Sequence, residues 1–303
     1  MNLNALRHFI AVVEAGSMRE AADNLHLAQS ALSRQILALE RDFGAALLVR
    51  LPRGVEPTLA GRVVLRQARL TLDQLQDARE EIAAFDGLRK GRIRLAAIEP
   101  FASGPLAVGI ARFRATFPGI SIDVRVGNTR QVATLVQEGI VELGVAYNAP
   151  KERGILVRAS VRQPLVALMR PGHPLAARGA ISFADLVNGP VILPPAGSPT
   201  RLMIEESARR AGLSLDQVMI ESDSVALRLA VASKTDGIAV LAQISGLDAH
   251  RAGTLAMLDL ADEPILSNGR LELIAAEGRG LSRATLAFER HLRAALKSVR
   301  VPG

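Results

Sequence analysis

Apolar residues recur at three- and four-residue spacing from the start of the chain, at Leu3, Leu6, Ile10 and Val13. That rhythm predicts a first helix with one apolar face. Gly16-Ser17 ends it and offers Ser17 as N-cap to a short second helix with Ala21, Ala22 and Leu25 inward. Small alanines let two helices cross closely. A third apolar set, Leu32, Ile36 and Leu39, predicts a helix that begins near Gln29-Ser30 and is closed by Gly44. Its other face carries Gln29, Ser30, Ser33, Arg34 and Gln35. Leu47 and Leu48 return to the core, and Arg50-Leu51-Pro52-Arg53-Gly54 reads as a tight basic turn, a wing. A short helix turned into a polar-faced one presents side chains to a DNA major groove, where Gln, Ser and Arg suit base edges and phosphates. Any one of these helices alone would fit a plain bundle; all three in order, followed by the basic turn, do not.

The period stays helical from Thr58 to about Asp86. Leu65, Ala68, Leu72, Leu75 and Ile82 trace a coiled-coil seam, interrupted at Arg79. With no partner helix nearby in the sequence, that seam is expected to pair two chains. Gly87 to Gly91 then reads as a hinge. Beyond it the pattern alternates. Strands are expected at Arg92–Ala97, Ile120–Val126, Leu143–Tyr147, Leu165–Met169, Val191–Leu193, Met219–Ile220, Gly237–Leu241 and Leu271–Ala275. Helices are expected at Leu106–Phe117, Gln131–Glu138, Arg201–Ala211, Ser224–Ala232 and Thr285–Lys297. Such alternation predicts parallel sheets with helices on their faces, an α/β class overall.

Length and composition narrow the reading. At 303 residues the chain is expected to form two or three domains. Hydrophobic content of 49% with 22% charged residues suits a folded protein. There is no cysteine, which removes disulfides and thiolate metal sites and fits a reducing compartment. Arg7, His8 and Glu14 break any signal-peptide core, and no long apolar run suggests a membrane span, so the cytoplasm is the expected location. The net charge of +7 invites a nucleic-acid partner, yet residues 1–57 carry six arginines (Arg7, Arg19, Arg34, Arg41, Arg50, Arg53) against six carboxylates. Placement, not total charge, marks the DNA-facing end.

The order AAxxLxxAQSALSRQIxxLExxxG from Ala21 to Gly44, followed by LLVRxPRGVxPTxAG from Leu47 to Gly61, resembles the LysR-type transcriptional regulators. The resemblance implies a winged helix-turn-helix over 1–60, with the helix-turn-helix at about 18–37, a dimerising linker helix over 58–88 and an effector-binding domain over 92–303. That domain is expected to be two α/β subdomains like a periplasmic binding protein, the first at about 92–161 plus 267–303 and the second at about 162–266. Ser17, Gln29, Ser30, Ser33, Arg34, Arg50 and Arg53 are the expected DNA contacts. Leu65, Leu72, Leu75 and Ile82 are the expected dimer contacts. Partners implied are double-stranded DNA, a small-molecule effector, a second copy in a homodimer or homotetramer, and RNA polymerase.

Effector contacts are expected in loops after strands: Glu99, Pro100, Phe101 and Ser103, then Thr129, Tyr147, Ser198, Thr200, Arg201, Ser222 and Ser224. Each hydroxyl is also a natural cap or turn residue. The family commonly offers a small hydroxyl from the first of these loops, where this chain has Ile98-Glu99-Pro100-Phe101. A carboxylate there favours a smaller ligand, one with an amine or hydroxyl facing Glu99, or no diffusible ligand at all. No phosphate loop, metalloprotease, nucleophile-elbow or calcium-loop motif occurs, and His8, His26, His173, His250 and His291 are scattered. No cofactor or metal is therefore expected. An α/β enzyme with a regulatory module and a purely architectural DNA binder stay open as alternatives.

Overall fold

The computed structural model describes residues 3–51, 54–83, 91–261 and 263–299. The chain divides into two compact units, one of residues 1–91 with 138–140 and 279–283, the other of the remainder. The first unit begins with helices α1 (Leu3–Ala15), α2 (Met18–Asn24) and α3 (Gln29–Phe43). An antiparallel hairpin of β1 (Leu48–Leu51) and β2 (Gly54–Pro57) follows, then the long helix α4 (Leu59–Ala83).

The core of this module is Leu6, Phe9, Val12, Leu32, Ile36, Leu39 and Leu47, closed by Val64, Leu65 and Ala68 of α4. Two expectations shift here. The buried face of α1 is Leu6, Phe9 and Val12, whereas Leu3 is exposed. Apolar residues nearly encircle that helix, so spacing alone could not orient it. Leu65 and Ala68 fill their own module's core, so the outward part of the seam starts later, at half-buried Leu72 and at Leu75, which is 40% exposed. The side chain of Ile82 lies outside the described residues.

The second unit contains two sheets. The first is built from β3 (Gly91–Ala97), β4 (Ile120–Val126), β5 (Leu143–Tyr147), β6 (Ile155–Arg162) and β13 (Arg270–Ala276), in the order β4-β3-β5-β13-β6. The second holds β7 (Leu165–Met169), β8 (Ala180–Ser182), β9 (Val191–Leu193), β10 (Val218–Glu221), β11 (Ile238–Ala242) and β12 (Ala256–Ala261), ordered β10-β9-β11-β7-β12-β8. The helices are α5 (Glu99–Phe101), which runs through a π-helical stretch at Ala102–Leu106 into α6 (Ala107–Thr116), and then α7 (Thr129–Gln137) and α8 (Phe183–Val187). They continue with α9 (Pro199–Ala211), α10 (Val225–Lys234), α11 (Gln243–Arg251), α12 (Pro264–Ser267) and α13 (Arg283–Ser298).

The sheets are mixed, which corrects the expectation of parallel ones. β3 runs parallel to β5, and β9 parallel to β10 and β11. β7 is antiparallel to β11 and β12, and β13 is antiparallel to β5 and β6. The reversed strands adjoin the places where the chain crosses between sheets, after β6 and after β12. A strand that enters from the crossing must run against neighbours that end there. Strands β6, β8 and β12 escaped the sequence pattern; β6 is half-exposed and β8 has only three residues.

One buried ion cluster anchors α13 to β6. Arg158 donates from Nε and Nη2 to the Glu289 carboxylate at 2.9 and 2.7 Å, and Arg293 donates to Glu289 Oε1 at 3.0 and 2.7 Å. Burial pushes the Glu289 carboxyl up, and the hydrogen bonds from the two arginines outweigh it, so its pKa lies below the ordinary glutamate value. A depressed pKa adds stability above the ordinary glutamate range, and the gain is lost as pH falls through the folded value. Glu289→Ala is expected to cost about 3 kcal/mol, the low end for a broken buried pair because Arg293 stays half-exposed. Urea denaturation at neutral pH and at pH 3 checks this; an equal loss at both would contradict the assignment.

Candidate nucleic-acid interface and ligand-binding seam

On α3 the apolar residues Leu32, Ile36 and Leu39 point into the core. Gln29, Ser30 and Arg34 stay exposed on the other face, and Ser33 is half-buried. Gln35 leaves that polar face, since its Oε1 contacts His8 Nδ1 of α1. Gly44 closes the helix in the left-handed region, at φ 65°. The wing is tied down at three points. Glu40 accepts from the backbone N–H of Leu47 and Leu48 at 2.8 and 3.2 Å. Val55 N–H donates to Gly16 O at 2.8 Å. Gly61 allows α4 to press on the wing, because a Cβ there would lie 2.0 Å from Leu47 O.

These ties bring Arg50 to α3, where its Nη2 donates to Ser33 Oγ at 3.5 Å. The structure therefore gathers Gln29, Ser30, Ser33, Arg34 and Arg50 on one element and its adjoining strand. Ser17 spends its oxygen as the α2 cap, accepting from Glu20 N–H at 3.3 Å, and its hydroxyl proton remains to donate. Arg53 and Pro52 lie outside the described residues.

In the second unit the expected effector residues separate into three groups. Phe101 is fully buried and is a core ring, not a ligand wall. Tyr147 is also buried; its hydroxyl donates to Gln163 O at 3.1 Å, and burial pushes the phenol further above its ordinary pKa. Thr129 is a strap, donating from its hydroxyl to Tyr147 O at 2.9 Å and accepting from Tyr147 N–H at 3.2 Å. Ser103 donates to Glu99 O at 3.0 Å. Arg201 is only 7% exposed, and two carboxylates neutralise it: Glu205 and Glu221, each at 2.7 Å. The expectation that its charge holds a ligand is corrected by that pairing.

Ser198, Ser222 and Ser224 form the second group. Ser198 caps α9 by accepting from Arg201 N–H, and Ser224 caps α10 by accepting from Leu227 N–H. Ser222 accepts from Ser224 N–H at 3.2 Å. All three use lone pairs, so each hydroxyl proton is left to donate to an acceptor. They sit at the carboxyl ends of β9 and β10, where open sheets take ligands. Glu99, Pro100 and Thr200, the third group, are exposed or half-exposed.

Two residues were missed by the sequence reading. Gln163 joins the sheets. Its N–H donates to Gly269 O at 2.8 Å, its Oε1 accepts from Ile244 N–H at 2.9 Å, and its Nε2 contacts Val299 O. Gly269 is required beside it, since a Cβ there would collide with the Tyr147 hydroxyl at 1.8 Å. The second is Arg228 of α10, a buried cation whose partners had to be seen to be counted. Among the described residues no cluster of histidines and carboxylates is placed to hold a metal, and no helix is long and apolar enough to cross a membrane.

Comparison with known proteins agrees with both halves. Residues 3–62 match the family model of the bacterial regulatory helix-turn-helix protein, lysR family, and residues 86–297 match the LysR substrate binding domain. The HTH-type transcriptional activator CmpR of Synechocystis is 32% identical over 265 residues, covering 87% of this chain and 86% of that protein. The RuBisCO operon transcriptional regulator of Allochromatium vinosum is 29% identical and covers 95% and 94%. Among solved structures, a full-length OxyR variant from Pseudomonas aeruginosa has a TM-score of 0.75 at 21% identity, with 98% and 95% coverage. Full-length CbnR complexed with its target DNA has a TM-score of 0.64 at 21% identity, with 97% and 100% coverage. The chain belongs to the LysR family of DNA-binding transcriptional regulators, with a helix-turn-helix module followed by a LysR substrate-binding domain.

Proposed function

We propose that this regulator reads an operator through Gln29, Ser30, Ser33 and Arg34 in the major groove, with Ser17, Arg50 and Arg53 on the backbone. The observation that carries this is the exposed polar face of α3 with Arg50 held against Ser33 at 3.5 Å. The domain boundaries we assign are a DNA-binding module over 1–60, a dimerising helix over 58–88 and an effector domain over 92–303. Within it, subdomains of 92–161 plus 267–303 and of 162–266 hold a small molecule between them, a division supported by the two sheets joined at Gln163. The working form is a homodimer or homotetramer in the cytoplasm that contacts RNA polymerase.

A ligand switches such a protein only by binding its two DNA-bound arrangements with different affinity. The residues that remain available to it are Glu99, Pro100, Thr200, Ser198, Ser222 and Ser224. Glu99 opens α5 and is exposed, so it faces an amine or hydroxyl better than a carboxylate. Glu99→Ser is expected to broaden binding to small carboxylates, because it removes a like charge and adds a donor. Calorimetry with a metabolite panel on both proteins tests this, and identical carboxylate affinities would place Glu99 away from the ligand. A metabolite that raises the thermal midpoint and moves the DNase footprint is the wider expectation; DNA binding indifferent to every metabolite would favour an architectural role.

A further inference from the structure

Two arginines on helices beside the second sheet, Arg201 of α9 and Arg228 of α10, are buried, and only one is neutralised. Arg201 lies between Glu205 and Glu221. Arg228 is 5% exposed, and its Nε and Nη1 have no hydrogen-bond partner among the described residues. No described carboxylate lies within ion-pair distance of it; the nearest charge that acts on it is Asp223, itself exposed. Burial lowers the guanidinium pKa to about 10 against the opposing pull of Asp223, so it is still a cation at neutral pH. An uncompensated buried cation is costly, and buried charges are normally paired.

Its position says where a partner would sit. α10 starts at Val225 with Ser224 as N-cap, so Arg228 lies one turn inside the helix. Helical side chains lean toward the N-terminus of their helix, which carries the guanidinium back under the first turn. That turn stands at the carboxyl end of β10, beside the ends of β9 and β11. The end of β11 is also the crossing end of the sheet, because Ala242 pairs with Leu165 just after Gln163. Ser198, Ser222 and Ser224, each with a hydroxyl proton to give, occupy the same end. The helix N-terminus adds a partial positive charge.

We propose that Arg228, with the hydroxyls of Ser222 and Ser224, is the anion-binding element of the effector site, and that the effector carries a carboxylate or another small oxyanion. This rests on the reading of the second unit as an effector domain. The planar guanidinium suits a two-oxygen anion, and charge-assisted bonds to it are stronger than neutral ones. Arg228 lies in a helix, not in a strand-to-helix loop, so nothing in its local sequence sets it apart from a solvated helical arginine.

The full-length protein is titrated with acetate, succinate, sulfate and phosphate against chloride at matched ionic strength, following the thermal midpoint and calorimetric affinity. At least one oxyanion should stabilise the wild type beyond chloride. Arg228→Met should weaken that binding about ten- to a hundredfold, the worth of a charged hydrogen bond, while its own midpoint without anion holds or rises. Arg228→Lys, which keeps the charge but not the fork, should fall between. No oxyanion response in the wild type overturns the proposal. So does an unchanged response in Arg228→Met, the result expected if a water bridges Arg228 to the unpartnered Gln243 Oε1. A neutral metabolite that binds wild type and Arg228→Met equally would sink the anion site while leaving the effector domain in place.

Discussion

Replacing Gln29, Ser33 and Arg34 together by alanine should erase the preference for operator over random DNA while leaving the module folded. Each good base contact discriminates by about 1–3 kcal/mol, so three of them are worth roughly a hundredfold or more. The fold should tolerate the change. Gln29 and Arg34 are exposed, Ser33 is half-buried, and alanine is a better helix former than serine. The core residues Leu32, Ile36 and Leu39 are untouched. Circular dichroism should therefore be superimposable on wild type, and the midpoint of unfolding nearly so. Competition footprinting decides the matter, and an unchanged footprint in the triple variant would remove this face from the DNA. Arg50→Ala should act differently, weakening binding to all sequences alike and lowering the salt slope, because a phosphate contact carries no base information.

Leu72→Asp combined with Leu75→Asp should separate the assembled protein into smaller species and abolish operator binding at concentrations where wild type saturates it. The first half of α4 is anchored in its own module through Val64, Leu65 and Ala68. Further along the same helix Leu75 is 40% exposed and Leu72 is half-buried, and among the described residues no other helix of the module covers them fully. Such leucines on a helix that runs on from its module suit a partner copy. A two-fold pair of modules would read half-sites related by a dyad. Losing the pair removes the gain from binding two half-sites at once, which is about 10²–10⁴ in avidity. Sedimentation equilibrium on both proteins checks this. A wild-type monomer, or a variant with unchanged mass, would contradict it.

The helix-turn-helix was legible because everything it needs is local. Apolar spacing in Leu32, Ile36 and Leu39, the cap at Ser17 and the glycine at Gly44 act within a few residues of one another, and the side chains that face outward are the ones the core leaves over. The strands β3, β4 and β5 were legible for the same reason, and so was a last strand near the C-terminus; its place in the first sheet was implied only by the family resemblance. The sequence also placed Ser198, Ser222 and Ser224 at strand ends, because they lie in short links between a strand and a helix.

Tertiary structure decided what depends on residues far apart in the chain. Spacing could not show that Phe101 and Tyr147 are core, since an aromatic after a strand looks alike buried or open until the other sheet elements cover it. Nor could it show that β7 and β13 run antiparallel, a consequence of where the chain crosses between sheets. Gln163 matters only because Tyr147, Ile244, Gly269 and Val299 meet it in space. The sharpest case is the pair of arginines. In the sequence Arg201 and Arg228 are two ordinary cations in two amphipathic helices. Burial strips the water from both. Glu205 reaches the first from one turn along the same helix, but only the fold determines that Glu221 joins it while the second is left with a charge that a ligand can answer. Charge compensation in a low-dielectric interior is a property of distances between distant residues, so it is written in the packing and not in the pattern.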